Sequence, residues 1–151
     1  MIGITKCPVR DHGRILVATD GSDFSRAALC EAIDLARACS SKIYVLSVIE
    51  VNPEFEALAP ELIEKAEEQT RKYLEELKTR INQEGLDCET IVHQGEEPYK
   101  FIVEEARQRE ADIIVMGSHG RTGLKKLLMG SVTSRVIGHA DCPVLVVKAQ
   151  G

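Results

Sequence analysis

The chain has 151 residues, of which 44% are hydrophobic and 28% are charged. This length and composition predict one folded domain over residues 1–151 and exclude an intrinsically disordered chain. A formal net charge of −5 argues against general affinity for nucleic acid, and an aromatic content of 4% without tryptophan supplies few rings for stacking on bases.

Targeting segments and cysteine usage bear on where the protein works. No stretch approaches the ~20 consecutive apolar residues of a membrane helix, and the first residues lack an apolar run of signal-peptide length. The five cysteines show neither C-x-x-C nor zinc-ligand spacing; they are Cys7, Cys30, Cys39, Cys88 and Cys142. We therefore expect a cytoplasmic protein without a membrane partner, with reduced thiols that are mostly small core residues.

Five short apolar runs predict β-strands. They are Ile15–Ala18, Ile43–Ile49, Cys88–His93, Ile113–Met116 and Val144–Val147. Several of these runs are continuous rather than alternating, which is typical of parallel strands buried on both faces.

Helical spacing fills the gaps between these runs. The first predicted helix follows the first strand, and Ser22, Asp23 or Ser25 can cap it. The segment Asn52–Ala59 is either a lid over a site or a plain connector. A long helix is predicted from Pro60 to a stop at Gly85, with one apolar face formed by Leu62, Ala66, Tyr73, Leu77 and Ile81.

Two further helices complete the pattern. One begins at Pro98, and the last begins near Gly130–Ser131 and ends near His139. The resulting alternation of strand and helix predicts an α/β fold, with a parallel sheet covered by helices on both faces. Ligands of such sheets bind at the carboxyl ends of the strands, so the loops after the strands are the candidate functional segments.

The loop after the fourth strand has the strongest functional signal. Four glycines, Gly117, Gly120, Gly123 and Gly130, precede a helix start at Ser131. Glycines allow close approach of backbone to a ligand, and a helix N-terminus attracts anions. No acidic residue occurs from 117 to 135, whereas four basic ones do: Arg121, Lys125, Lys126 and Arg135. The combination predicts a polyphosphate site, although for any one glycine alone a simple turn is the favoured explanation.

This loop reads G-x2-G-x9-G-S, within the runs M-G-S-H-G-R (116–121) and G-S-V-T (130–133). Here the sequence resembles the ATP-binding branch of the universal stress protein family, and the resemblance extends to residues 15–22, 45–49 and 113–148. It implies a Rossmann-like, five-stranded parallel sheet in the order 3-2-1-4-5, and a homodimer.

The resemblance also implies a set of nucleotide contacts. Asp20 and Val48 would line the adenosine end together with Met116 and Gly117. The phosphates would be held by the backbone and hydroxyl groups of Gly120, Gly130, Ser131 and Val132. Arg121 is not part of the resemblance; its positive charge predicts a place beside the phosphates. Mg²⁺ would accompany ATP by binding the phosphate oxygens.

Simpler roles remain open for these residues. Asp20 also suits a turn, Val48 and Met116 suit the core, and Ser131 suits a helix cap. His119 has no readable catalytic partner, so a loop-orienting role is preferred and no catalytic residue is assigned.

Three functions are compatible with this site. The leading one is an ATP-binding regulatory or stress-response protein with little or no catalysis. The second is a slow ATPase or nucleotidyl-transfer enzyme, with His119 or Arg121 stabilising charge, and the third is a dimeric interaction module without nucleotide. The sequence does not distinguish AMP or ADP from ATP as the bound nucleotide. The apolar run 144–147 would form a sheet edge, and edge pairing with a second copy predicts the homodimer.

Overall fold

The computed structural model describes residues 13–121 and 129–149. Within these residues the chain forms five strands and five helices. The strands are β1 (Arg14–Ala18), β2 (Lys42–Glu50), β3 (Cys88–Gly95), β4 (Ile113–Gly117) and β5 (Val144–Val147). The helices are α1 (Asp23–Cys39), α2 (Pro53–Leu58), α3 (Pro60–Gln83), α4 (Pro98–Gln108) and α5 (Ser131–His139).

All strand pairs are parallel, and the order β3-β2-β1-β4-β5 confirms the prediction. The order reverses between β1, where Val17 pairs with Val45 of β2, and β4, where Val115 pairs with the same Val17. The carboxyl ends of β1 and β4 therefore lie side by side, and the loops that follow them lead away in opposite directions. Ligands of open α/β sheets bind in the cleft between two such loops.

Alternate side chains of each strand enter two separate cores. One core joins Ile15 and Val17 to α1 and α3. The other joins Leu16 and Met116 to α4 and α5. The period-2 geometry of a strand sends neighbouring residues to opposite faces, so both faces of the central strands β1 and β4 are covered by helices.

The segment between β2 and α3 contains a helix that the sequence analysis did not predict. Asn52 is the N-cap of α2, its Oδ1 accepts the amide hydrogen of Phe55 at 2.7 Å, and Pro53 occupies the first turn. These are favourable starting signals for a helix. This helix buries none of its own residues.

The predicted apolar face of α3 is wrong at its first position. Leu62 is 58% exposed, and the buried residues are Ile63, Leu74 and Ile81. The helix thus turns the stripe that contains Ile63 toward the sheet. At its C-terminal end Gly85 adopts φ +82°, as a helix stop does.

The cysteines only partly follow the expectation of a core position. Cys88 is buried, and burial raises the pKa of its thiol to about 11, whereas Cys30 is exposed on α1. Cys39 and Cys142 are half-buried, and Cys7 lies outside the described residues. Cys30, Cys88 and Cys142 are free thiols.

A charged network ties β2 and β3 to α4. Glu89 lies 2.6 Å from both Lys42 Nζ and Arg109 Nη1, and Arg109 Nε donates to the buried Glu105 at 3.2 Å. Lys42 and Arg109 also lie 5.3 and 5.1 Å from the ring centroid of Tyr44. No helix of the described residues has the length and apolar character needed to cross a bilayer.

Candidate functional site

The turn after β1 holds the first predicted site residue, Asp20. Its Oδ1 accepts the amide hydrogen of Ser22 at 2.9 Å, and Gly21 between them has φ +79°. Ser22 then caps α1, its Oγ accepting the amide hydrogen of Ser25 at 3.3 Å. Asp20 therefore does stabilise a turn, but this uses only one of its two carboxylate oxygens.

The second oxygen of Asp20 faces the loop after β4. A Cβ added to Gly120 would lie 3.1 Å from Asp20 Oδ2, closer than side-chain carbons ordinarily pack. The two loops at the reversal of strand order are therefore in direct contact. Gly120 is the residue that allows the approach.

Gly117 ends β4 in a tightly packed position. A Cβ at Gly117 would lie 2.8 Å from the backbone carbon and oxygen of Phe24, in the first turn of α1. The carbonyl of Gly117 accepts a hydrogen bond from the buried Thr133 hydroxyl at 2.8 Å. Gly117 thus joins the starts of α1 and α5 to the end of the same strand.

The two ends of the glycine loop are pinned to each other. The Gly130 amide donates to the Ser118 carbonyl at 2.7 Å. A Cβ at Gly130 would lie 3.2 Å from the Cα of His119 and 3.7 Å from the amide nitrogen of Gly120. The Gly130 amide is therefore paired within the protein's own backbone, and the lack of a side chain at Gly130 lets the two ends of the loop pack closely.

The glycine loop ends at the N-terminus of α5. Gly130 is the N-cap, and within the described residues no side chain caps the helix and no acidic residue lies in its first turn. Ser131 is exposed and Val132 is half-buried at the first two helical positions. First-turn amides and the positive end of the helix dipole make this a favourable environment for an anion.

Arg121 bridges the two loops. Its Nε donates to the main-chain carbonyl of Asp20 at 2.7 Å, and its Nη2 lies 3.8 Å from where a Cβ of Gly21 would be. A cleft of about 340 Å³ lies between the loops, lined by Gly21, Ser22, Asp23, Phe24, Gly120 and Arg121. The guanidinium is exposed at the rim of this cleft.

Three further predicted residues lie on the apolar side of the same region. Met116 is 4% exposed in the core beneath α4 and α5, and Val48 and Val132 are partly buried against that core. Val48 is near the carboxyl end of β2, where it pairs with His93. The structure thus places Val48, Met116 and Val132 on one face of the sheet.

Part of the predicted basic field does not face the glycine loop. Arg135 lies 3.6 Å from Glu97 and 5.4 Å from the ring centroid of Tyr99, both at the start of α4. Gly123, Lys125 and Lys126 fall outside the described residues. Of the two predicted basic residues that the structure describes, Arg121 lies at the cleft and Arg135 does not.

The sequence analysis missed two residues that organise the site. The Thr133 hydroxyl donates to the Gly117 carbonyl, and the ring centroids of Phe24 and His119 are 5.1 Å apart. His119 also places Nδ1 3.0 Å from Ser118 Oγ, which agrees with a loop-orienting role. Thr133 could have been found from the sequence, because it is a hydroxyl residue within the G-S-V-T run. Nothing in the sequence pointed to Phe24.

Comparison with known proteins gives a consistent result. The profile of the universal stress protein family matches residues 12–148. The universal stress protein MJ0531 of Methanocaldococcus jannaschii is 39% identical over 142 residues, covering 91% of this chain and 82% of that relative.

Two solved structures extend the comparison. That of the protein MJ0577, from the same archaeon, matches with a TM-score of 0.83 at 34% identity and covers 93% of this chain and 98% of that one. A universal stress protein from Archaeoglobus fulgidus, solved in complex with dAMP, matches with a TM-score of 0.63 at 28% identity and covers 89% and 97%.

Proposed function

Since the chain belongs to the universal stress protein family, we propose that it is an ATP-binding regulatory protein with little or no catalytic activity of its own. The whole chain, residues 1–151, would act as one such domain in the cytoplasm. The observation that carries the proposal is the close approach of Gly120 and Gly130 at the uncapped start of α5. An adenine nucleotide is supported by the dAMP complex of the Archaeoglobus protein.

The phosphates would lie against the glycine loop at the start of α5. The amides of Gly120, Ser131 and Val132 would supply hydrogen-bond donors, and the Ser131 hydroxyl is exposed beside them. The Gly130 amide already donates to the Ser118 carbonyl at 2.7 Å, so Gly130 would contribute its lack of a side chain rather than a donor. Anions are favoured at such a helix start by about 0.3–1 kcal/mol for an exposed site, and each charge-assisted hydrogen bond adds to this. Arg121 at the rim would add a cationic group.

The adenosine would lie on the apolar side. Val48, Met116 and Gly117 would contact the base, and the free Oδ2 of Asp20 would accept a hydrogen bond from the ribose or the base. Carboxylates are strong acceptors for sugar hydroxyls because the bond is charge-assisted.

Mg²⁺ would enter with the triphosphate. Among residues 13–121 and 129–149, no three His, Cys, Asp or Glu side chains form a group that could hold a metal. A cation that coordinates phosphate oxygens and water fits this donor set better than one held by protein ligands.

Little catalysis is expected from the arrangement. Ser118 and His119 form a hydroxyl–imidazole pair at 3.0 Å, but Ser118 is only 2% exposed, so its oxygen is poorly placed to reach a substrate. Phosphoryl transfer needs a positioned nucleophile or water, and we assign that role to none of the described site residues.

Titration calorimetry with ATP and AMP, each with and without Mg²⁺, tests this function. Gly130→Ala places a methyl group 3.2 Å from the Cα of His119. This change should lower the affinity for ATP by at least about tenfold and the affinity for AMP by less. Gly138→Ala is the matched control, because a Cβ there meets nothing within 4 Å. Equal losses of affinity for AMP and ATP would mean that the β- and γ-phosphates do not lie near Gly130. Phosphate release at about 1 s⁻¹ or faster would indicate an enzyme.

We also propose a homodimer through the outer edge of β5. In the sheet order β5 is terminal, and Leu145 is 38% exposed on it. Unpaired strand edges with apolar side chains associate readily. Sedimentation should show a dimer that Leu145→Lys converts to monomer; a wild-type monomer at micromolar concentration would exclude this assembly.

A further inference from the structure

The junction between α2 and α3 exposes large apolar side chains far from the glycine loop in sequence. Phe55 is 47% exposed, Leu58 is 84% exposed and Leu62 is 58% exposed. All three occur within eight consecutive residues, and α2 has no buried residue at all. A six-residue helix whose apolar side chains face solvent gains almost nothing from its own protein core.

The same segment is uniformly acidic. Residues 50–64 contain five glutamates and no lysine or arginine. None of these five carboxylates has an ion-pair partner among the described residues. Elsewhere on α3 the glutamate Glu67 is paired with Arg71 at 2.7 Å, so the lack of pairing is local to the junction.

A cavity adjoins the junction at the N-cap of α2. It has a volume of about 530 Å³ and is lined by Glu50, Val51, Asn52 and Glu96. Two carboxylates without a cationic partner in the described residues flank it: Glu50 at the end of β2 and Glu96 just after β3. Such a cavity is chemically suited to an ammonium or guanidinium group at the end of a long side chain.

We propose that this surface, which we call the α2–α3 junction (Phe55, Leu58 and Leu62 with the surrounding glutamates and the Glu50–Glu96 cavity), docks an amphipathic basic segment of a partner protein. Apolar side chains of that segment would cover Leu58 and its neighbours. A lysine or arginine would enter the cavity. An amphipathic helix with apolar anchors at i, i+3, i+4 and i+7 is the usual form of such a ligand.

Charge decides between this occupant and others. Two copies of this chain joined symmetrically through the junction would bring like patches of glutamates together, which is repulsive. An anionic lipid surface and a nucleic-acid backbone are repelled for the same reason. The proposal uses none of the residues that we assign to the nucleotide, so its experiment can fail without excluding nucleotide binding.

The experiment uses two synthetic peptides. One is an amphipathic helix of leucine, alanine and lysine with leucines at the spacing above, and the other replaces every lysine by glutamate. Fluorescence anisotropy should show the lysine peptide binding at least about tenfold more tightly than the glutamate peptide, with affinity that falls as salt is raised. No preference for the lysine peptide overturns the proposal.

Variants of the protein locate the binding. Leu58→Gln and the double variant Glu54→Lys/Glu61→Lys should each lower the affinity for the lysine peptide by at least about fivefold. Glu31→Lys, on the exposed face of α1, makes the same kind of charge change elsewhere and should alter affinity by less than about twofold. All these side chains are exposed, so folding is expected to persist, and circular dichroism checks it.

Two further measurements exclude other occupants. Amide chemical-shift changes on adding the lysine peptide should centre on Phe55, Leu58 and Glu96; changes confined to another surface overturn the proposal. Self-association that Leu58→Gln abolishes would assign the junction to a second copy. Co-sedimentation with phosphatidylserine vesicles that Leu58→Gln abolishes would assign it to a lipid surface, and either result overturns the basic partner.

Discussion

Gly117→Ala tests the packing at the base of the cleft most directly. The added methyl carbon would lie 2.8 Å from two backbone atoms of Phe24 and 2.9 Å from its Cβ. Carbon atoms in contact prefer about 3.5–4.0 Å, so the overlap is roughly 0.7 Å or more. Backbone atoms cannot rotate away as the end of a side chain can, so the first turn of α1 has to shift.

Two opposing terms set the size of the effect. Overpacking against a rigid neighbour costs about 1–3 kcal/mol. Replacing glycine by alanine also restricts the unfolded chain, which favours folding by about 0.4–1 kcal/mol where the backbone angle is allowed. Gly117 is not among the glycines with positive φ, so this second term applies. The packing cost is larger, and we expect a net loss of about 1–2 kcal/mol.

Urea unfolding followed by circular dichroism measures this loss. With a slope near 2 kcal/mol per molar urea, the midpoint should fall by roughly 0.5–1 M. Gly138→Ala is the same chemical change on a helix with open space around it, and it should raise the midpoint instead. If Gly117→Ala left the midpoint unchanged or raised it, α1 and β4 could not be packed as described.

Three other changes probe the site and its scaffold. Thr133→Val removes the donor to the buried Gly117 carbonyl and should cost about 1–3 kcal/mol in urea unfolding, whereas Thr133→Ser should retain most of that stability; equal losses would contradict a role for the hydroxyl. Asp20→Asn keeps an oxygen for the turn, so stability should change by less than about 0.5 kcal/mol, while calorimetry should show ATP affinity about tenfold lower; unchanged affinity would remove the carboxylate from the site. The hydrogen bond from Lys42, with nearby positive charge, lowers the pKa of Glu89, so its contribution to stability is present above the unfolded-state pKa and is lost as pH falls through the folded-state pKa. Glu89→Gln should therefore lower stability near pH 7 by less than about 1 kcal/mol, because solvent reaches the partly exposed carboxylate and screens its ion pairs, and the two proteins should converge in acid; a constant difference down to low pH would refute this.

The fold could be predicted because its signals are local and repeated. Continuous apolar runs give buried parallel strands, and the helices between them follow from spacing and from Pro60 and Pro98. The strand order came from the family resemblance, since periodicity does not tell which strands are neighbours. The starts of the helices were located well because proline and capping side chains act within one turn.

The errors concern properties that depend on tertiary contacts. A stripe of apolar residues on α3 can be drawn through Leu62 or Ile63, and only the packing on the sheet selects Ile63. The short helix α2 was missed because a six-residue segment has little periodicity to detect. Arg135 was assigned to the glycine loop by its sequence distance, yet it lies one turn into α5 and pairs with Glu97 across a helix interface.

Arg121 shows how the cleft would respond to its proposed ligand. In the structure its Nε donates to the neutral carbonyl of Asp20 at an exposed position, a hydrogen bond worth about 0.5–1.5 kcal/mol. A bond from the same guanidinium to a phosphate oxygen joins two charges and is worth about 1.5–3 kcal/mol. A triphosphate bound at the start of α5 would therefore draw Arg121 away from the β1 turn. The Asp20 carboxylate would keep its place through the Ser22 amide, so one end of the cleft stays fixed while the other adapts to the length of the phosphate chain.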